Sequence, residues 1–199
     1  MSDWQKHYQN FPISSFLGNL FGQREFLEEI VKLIPRKALE VGAGSGSLSI
    51  FLSQLGFSVI ASDNNRKVLE LIRQNNKRFG GKINGVVLAD SFRLPFREND
   101  FDLIFHQGLL EHFPDEKIVA LLKEQLRVAP RVLFSVPNQN YSRKDLGDER
   151  LMSGSRWQKI LHEFPVVWRK EYSPKVFPRW YLPRARVQQM FFVKRRDYG

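Results

Sequence analysis

Residues Leu39–Leu48 read Leu-Glu-Val-Gly-Ala-Gly-Ser-Gly-Ser-Leu, and Asp63 closes the next apolar run. An apolar strand that breaks into alternating glycines and then opens onto a helix leaves few folds available. Glycines let the backbone turn sharply and approach a ligand closely. In α/β proteins that turn is where nucleotide-like molecules are held, and an acidic residue after the next strand receives a ribose.

The surrounding pattern agrees. Apolar runs at 37–41, 57–62, 85–89, 101–105 and 131–136 read as strands. Helical stretches at 45–55, 64–79 and 115–127 lie between them, with Asn64 or Asn65 as a cap and Gly80-Gly81 as a stop. This alternation is the signature of βαβ units and a parallel sheet. Continuous apolar strands imply helices on both faces. After Pro137 the rhythm changes to a polar loop at 138–150, a helix at 153–164, and two long strands at 166–172 and 187–195. No crossover helix separates those two, so they pair antiparallel. The expected fold is an α/β three-layer sandwich of Rossmann-like type. Its seven-stranded sheet is mostly parallel and ends in an antiparallel C-terminal hairpin. At 199 residues one domain is expected: a helical N-terminal cap at 1–34, a core at 37–137 and a basic region at 138–199.

Three glycine-rich loops compete for this sequence. A P-loop needs a lysine after its last glycine, and nothing basic occurs between Gly42 and Leu55. A dinucleotide loop wants a third small residue, Gly or Ala, where Ser47 stands. What remains is Glu40-x-Gly42-x-Gly44-x-Gly46. An acid two places before the first glycine repels a pyrophosphate and can instead receive a cationic amine.

On these residues the chain resembles the class I S-adenosylmethionine-dependent methyltransferases of the small-molecule type, whose first motif is Glu/Asp-x-Gly-x-Gly-x-Gly. The resemblance runs from about Lys37 to Pro137. It implies S-adenosylmethionine as cofactor, held by Glu40, Gly42, Ala43, Gly44, Gly46, Asp63, Asn64, Asp90, Ser91 and Gln107. By the resemblance Glu40 steadies the loop and the methionine amino group, and Asp63 accepts both ribose hydroxyls. Asp90 meets the adenine amino group, the Ser91 backbone meets the ring, and Gln107 lies along the sulfonium arm.

A sulfonium is already activated, so the protein mainly positions the acceptor. Where the acceptor must lose a proton, His112 and His106 are the candidate bases, in the run His106–Phe113 after the fourth strand. Some small-molecule O-methyltransferases of the ubiquinone type, and RNA 3′-end methyltransferases, carry Glu-x-x-Glu-His here. Gly108 stands at the first Glu, a hard cation would lose a carboxylate, and no metal is expected. The Asn/Asp-Pro-Pro-Tyr/Phe signature of amino-group methylation is absent.

Charge bears on the acceptor. Residues 1–130 carry 16 Lys/Arg against 15 Asp/Glu, while residues 131–199 carry 15 against 6. A basic end favours an anionic partner, here a small anionic metabolite. Basic and aromatic residues interleave from Val166 to Tyr198, which leaves RNA open as the acceptor. It equally fits an edge hairpin with its aromatics inward. A non-catalytic cofactor-binding scaffold is the third reading. The aromatic start (Trp4, Tyr8, Phe11) reads as part of a lid. No cysteine, secretion signal or membrane span is read in the chain, so a cytoplasmic location is expected.

Overall fold

The computed structural model describes residues 12–141, 147–173 and 186–196. The expected aromatic lid at Trp4, Tyr8 and Phe11 lies outside them. In chain order the elements are α1 (Ile13–Gly22), α2 (Arg24–Lys32), β1 (Lys37–Val41), α3 (Ser47–Gln54), β2 (Ser58–Asp63), α4 (Arg66–Arg78) and β3 (Gly85–Leu88). Then follow β4 (Leu103–Gln107), a 3-10 turn (Leu110–His112), α5 (Asp115–Val128), β5 (Arg131–Pro137), α6 (Gly154–Ile160), β6 (Val166–Tyr172) and β7 (Gln188–Lys194).

The seven strands form one sheet in the order β3-β2-β1-β4-β5-β7-β6. β1 to β5 are mutually parallel, and β7 pairs antiparallel with both β5 and β6. The expected three-layer α/β fold is therefore the observed one. Its continuous apolar strands are explained by side-chain alternation between two buried layers. Along β4, Leu103 and Phe105 join a core with Phe26, Ile30, Leu48 and Leu52 from α2 and α3. Ile104 between them joins the opposite core with Leu121, Leu122 and Trp157 from α5 and α6.

Some boundaries differ from expectation. The helical stretch before Pro35 breaks in two at Gln23, whose backbone leaves helical geometry. Its side chain is buried and accepts a hydrogen bond from the Tyr172 hydroxyl, a long-range contact no local pattern announces. The helix expected over 153–164 stops at Ile160, capped at its start by Ser153. Asn65, not Asn64, caps α4 by accepting from the Lys67 N–H at 3.0 Å.

Candidate active site

A cleft opens at the carboxyl ends of β1, β2 and β4, where open parallel sheets place ligands. It is lined by Val41, Gly42, Gly44, Asp63, Asn64, Asn65, Val68, Ala89, Ser91, Gln107, Gly108, Leu109, His112 and Phe113.

Two of the loop's glycines are required for different reasons. Gly42 has φ +67°, and a Cβ there would sit 3.2 Å from Leu109 Cδ1, so a side chain would intrude on the cleft. Gly46 has φ +74°, and its Cβ would come within 2.9 Å of Ile72 Cγ2 on α4. That glycine allows α4 to close against the start of α3. It lies outside the cleft lining.

Asp63, the last residue of β2, ties the loop together. Its Oδ2 accepts from Gly44 N–H at 3.3 Å and its Oδ1 from Asn65 N–H at 3.0 Å. Burial pushes its pKa up, and these N–H groups oppose the shift. Glu40 is buried beneath the loop. Its carboxylate accepts from Ser49 N–H at 3.1 Å and from the Ser49 hydroxyl, pinning the first turn of α3. Burial raises it to about 7 against those two donors. It does not line the cleft.

The remaining expected residues divide cleanly. Asn64, Ser91 and Gln107 line the cleft. Ala43 is buried with its N–H on the Ser62 carbonyl at 3.0 Å. Asp90 is exposed, and its Oδ1 accepts from Phe92 N–H at 2.9 Å. His106 is a correction. It is fully buried on the α5 side of the sheet, stacked on Phe134 at 5.5 Å with Nε2 3.2 Å from Gln125 Oε1. Burial drives its pKa down to about 3. It is a core side chain, away from the cleft.

His112 does face the cleft, from the 3-10 turn after β4. Its Nδ1 lies 2.8 Å from Asp148 Oδ1. Asp148 lies in the stretch that reads in sequence as a polar loop. Glu149 accepts from Gly147 N–H at 3.0 Å, and the nitrogen and oxygens of His112, Asp148 and Glu149 lie within 4.8 Å of one another. Arg150 anchors the loop: its N–H donates to the Glu111 carbonyl at 3.0 Å, and its guanidinium reaches the Phe113 carbonyl and Asp115. Behind them Glu111 is buried with Oε2 unpartnered among the described residues. Burial pushes its pKa up to about 8, and the charges of Glu149 and Asp148 add to the shift. One signal for this group was in the sequence: two of the six acids of the basic last third stand side by side at 148–149.

The described part of the basic-aromatic stretch is an edge hairpin whose β6 charges are paired. Arg169 pairs with Glu171, and Lys170 with Glu29 at 3.4 Å. Trp168 packs on Phe192, and Tyr172 is buried with its hydroxyl 2.7 Å from Ser135 Oγ. Lys175, Phe177, Arg179, Trp180, Tyr181 and Arg184 lie outside the described residues. No described helix is long and apolar enough to cross a membrane.

The parallel sheet, the glycine loop and the acid ending β2 are together the arrangement of the class I S-adenosylmethionine-dependent methyltransferases. Residues 38–130 match the family described as "Methyltransferase domain". Among individual proteins, the chain is 27% identical over 118 residues to a ubiquinone biosynthesis O-methyltransferase of Hydrogenovibrio crunogenus, covering 59% of this chain and 49% of that protein. The chain thus spans about half the length of that relative. The structure of the PH0226 protein from Pyrococcus horikoshii superposes with a TM-score of 0.74 at 14% identity, over 96% of this chain and 99% of that one. The magnesium protoporphyrin IX methyltransferase of Synechocystis, solved with S-adenosylmethionine bound, gives 0.66 at 18% identity, over 98% of each chain.

Proposed function

We propose that the chain transfers a methyl group from S-adenosylmethionine to an oxygen of a small molecule. The observation that carries this reading is His112, which faces the cleft beside Gln107 with its ring held by Asp148. On this reading Asp63 receives the ribose hydroxyls, since a carboxylate has acceptor capacity only. Ser91 and the outer oxygen of Asp90 meet the adenine, and Gln107 lies along the methionine arm. Glu40 and Gly46 act through α3, which they hold against the loop.

Bound there, S-adenosylmethionine would supply an activated methyl group that the acceptor oxygen displaces, with the neutral thioether as leaving group. The hydroxyl proton passes to the His112 imidazole. A ubiquinone biosynthesis O-methyltransferase among the relatives supports an oxygen acceptor. The described cleft gives no support to an anionic acceptor: the side chains clustered with His112 are the acids Asp148 and Glu149.

The test is methyl incorporation from labelled cofactor across phenols, catechols, carboxylic acids, amines and RNA. Transfer to small hydroxyl compounds, lost in His112→Ala, is the expected result. Transfer confined to RNA, or to no acceptor at all, refutes it.

A further inference from the structure

The glycine loop is costly to hold still. Gly42, Gly44 and Gly46 all take positive φ, at +67°, +53° and +74°, and glycine loses more conformational freedom on ordering than any other residue. A ligand that must order such a loop binds more weakly for it, and bonds that fix the loop beforehand restore the affinity. Two asparagines from outside the loop make such bonds. Asn75 of α4 is 3% exposed, and its Nδ2 donates to the Ser45 carbonyl at 2.9 Å. Asn19 of α1 donates from Nδ2 to Ser47 Oγ. Ser45 and Ser47 are both buried, with their hydroxyls 3.0 Å apart, so the two bonds meet on either side of Gly46.

Helix formation does not explain these side chains. Asparagine is a poor helix former, and a buried amide costs free energy unless it is bonded. The buried face of α4 is otherwise Val68, Leu69 and Ile72, which an apolar residue at 75 would continue. Nor is Asn19 needed to seat α1, since Phe16 stacks on Phe79, just after α4, with ring centroids 4.2 Å apart. Neither asparagine lines the cleft.

We propose that Asn19 and Asn75 are positioning residues for S-adenosylmethionine: through Ser47 and Ser45 they hold the glycine loop in its binding conformation. The first helix thereby belongs to the cofactor site without lining it.

The test uses the full chain, with cofactor affinity measured by calorimetry and stability by urea unfolding without cofactor. Asn19→Ala and Asn75→Leu, which keeps the volume beside Ile72, each raise the S-adenosylmethionine Kd by about 3- to 10-fold, the worth of one hydrogen bond. Asn75→Ala repeats the measurement with a smaller side chain should leucine not be accommodated. In a Ser47→Ala background Asn19→Ala adds nothing, because both changes remove the same bond. Wild-type cofactor affinity in the Asn19 and Asn75 variants overturns the proposal, whatever their stability, and leaves the asparagines a role in folding alone. Fully additive losses from Asn19→Ala and Ser47→Ala overturn the link from α1.

Discussion

One wall of the cleft comes from consecutive βα turns between Val41 and Ser91, whereas the opposite wall joins His112 to Asp148 across 36 positions. Each wall has a buried glutamate behind it. Glu40 gives its carboxylate to two donors of one residue, Ser49, nine positions away. Glu111 has one oxygen without a hydrogen-bond partner among the described residues. At its glutamate the first wall is finished by local bonds and serves to hold. The second is closed by contacts between segments far apart in the chain.

If the walls divide binding from chemistry, variants should separate the two. The largest effect is expected from His112→Ala: a loss of about 10²- to 10⁴-fold in kcat, with S-adenosylmethionine affinity by calorimetry unchanged. Asp63→Ala should do the reverse. Losing a carboxylate that takes two hydroxyls costs roughly 3 kcal/mol, or about 100-fold in cofactor Kd. Similar falls in cofactor affinity for both variants would erase the division.

Gly46→Ala sharpens the picture of the holding wall. A side chain at φ +74°, 2.9 Å from Ile72 Cγ2, should cost about 2–3 kcal/mol of stability in urea unfolding. Equal stability of Gly46→Ala and the wild type would remove the packing role assigned to this glycine.

The last prediction is one of sign. The Glu40 carboxyl titrates at about 7 in the folded chain against an ordinary 4.5. Between those values the native state keeps a proton the unfolded chain has lost, so stability falls as pH rises from about 4.5 to 7 and levels off above. Glu40→Gln should remove its share of that decline and leave the share of Glu111, raised to about 8, seen in unfolding midpoints at pH 5 and pH 7.5. A decline of equal slope in the variant would assign it to other groups.

The contrast between the walls also explains what could be read in advance. Strand order along the core, the glycine loop and Asp63 follow from periodicity, turn chemistry and the spacing of βα units, all local in sequence. The same rules identify His112 by its place after β4. They carry no information on which loop returns to meet it, so Asp148 and Glu149 were missed. His106, one position from Gln107, was misread for a related reason. Alternate strand residues face opposite layers, and chemistry alone does not say which side holds the cleft. Gln23 repeats the lesson at the N-terminal helices, because its partner Tyr172 lies 149 positions away.

The order β5-β7-β6 has a consequence for how the chain is made. β6 is synthesised before β7, yet β7 lies between it and β5, bonded to both. β6 has no native neighbour in the sheet until residues 188–194 leave the ribosome. At about 5–20 residues per second, β5 therefore waits for seconds with one edge open. During that interval the nascent chain carries an unprotected strand edge, the form most prone to pairing with another chain.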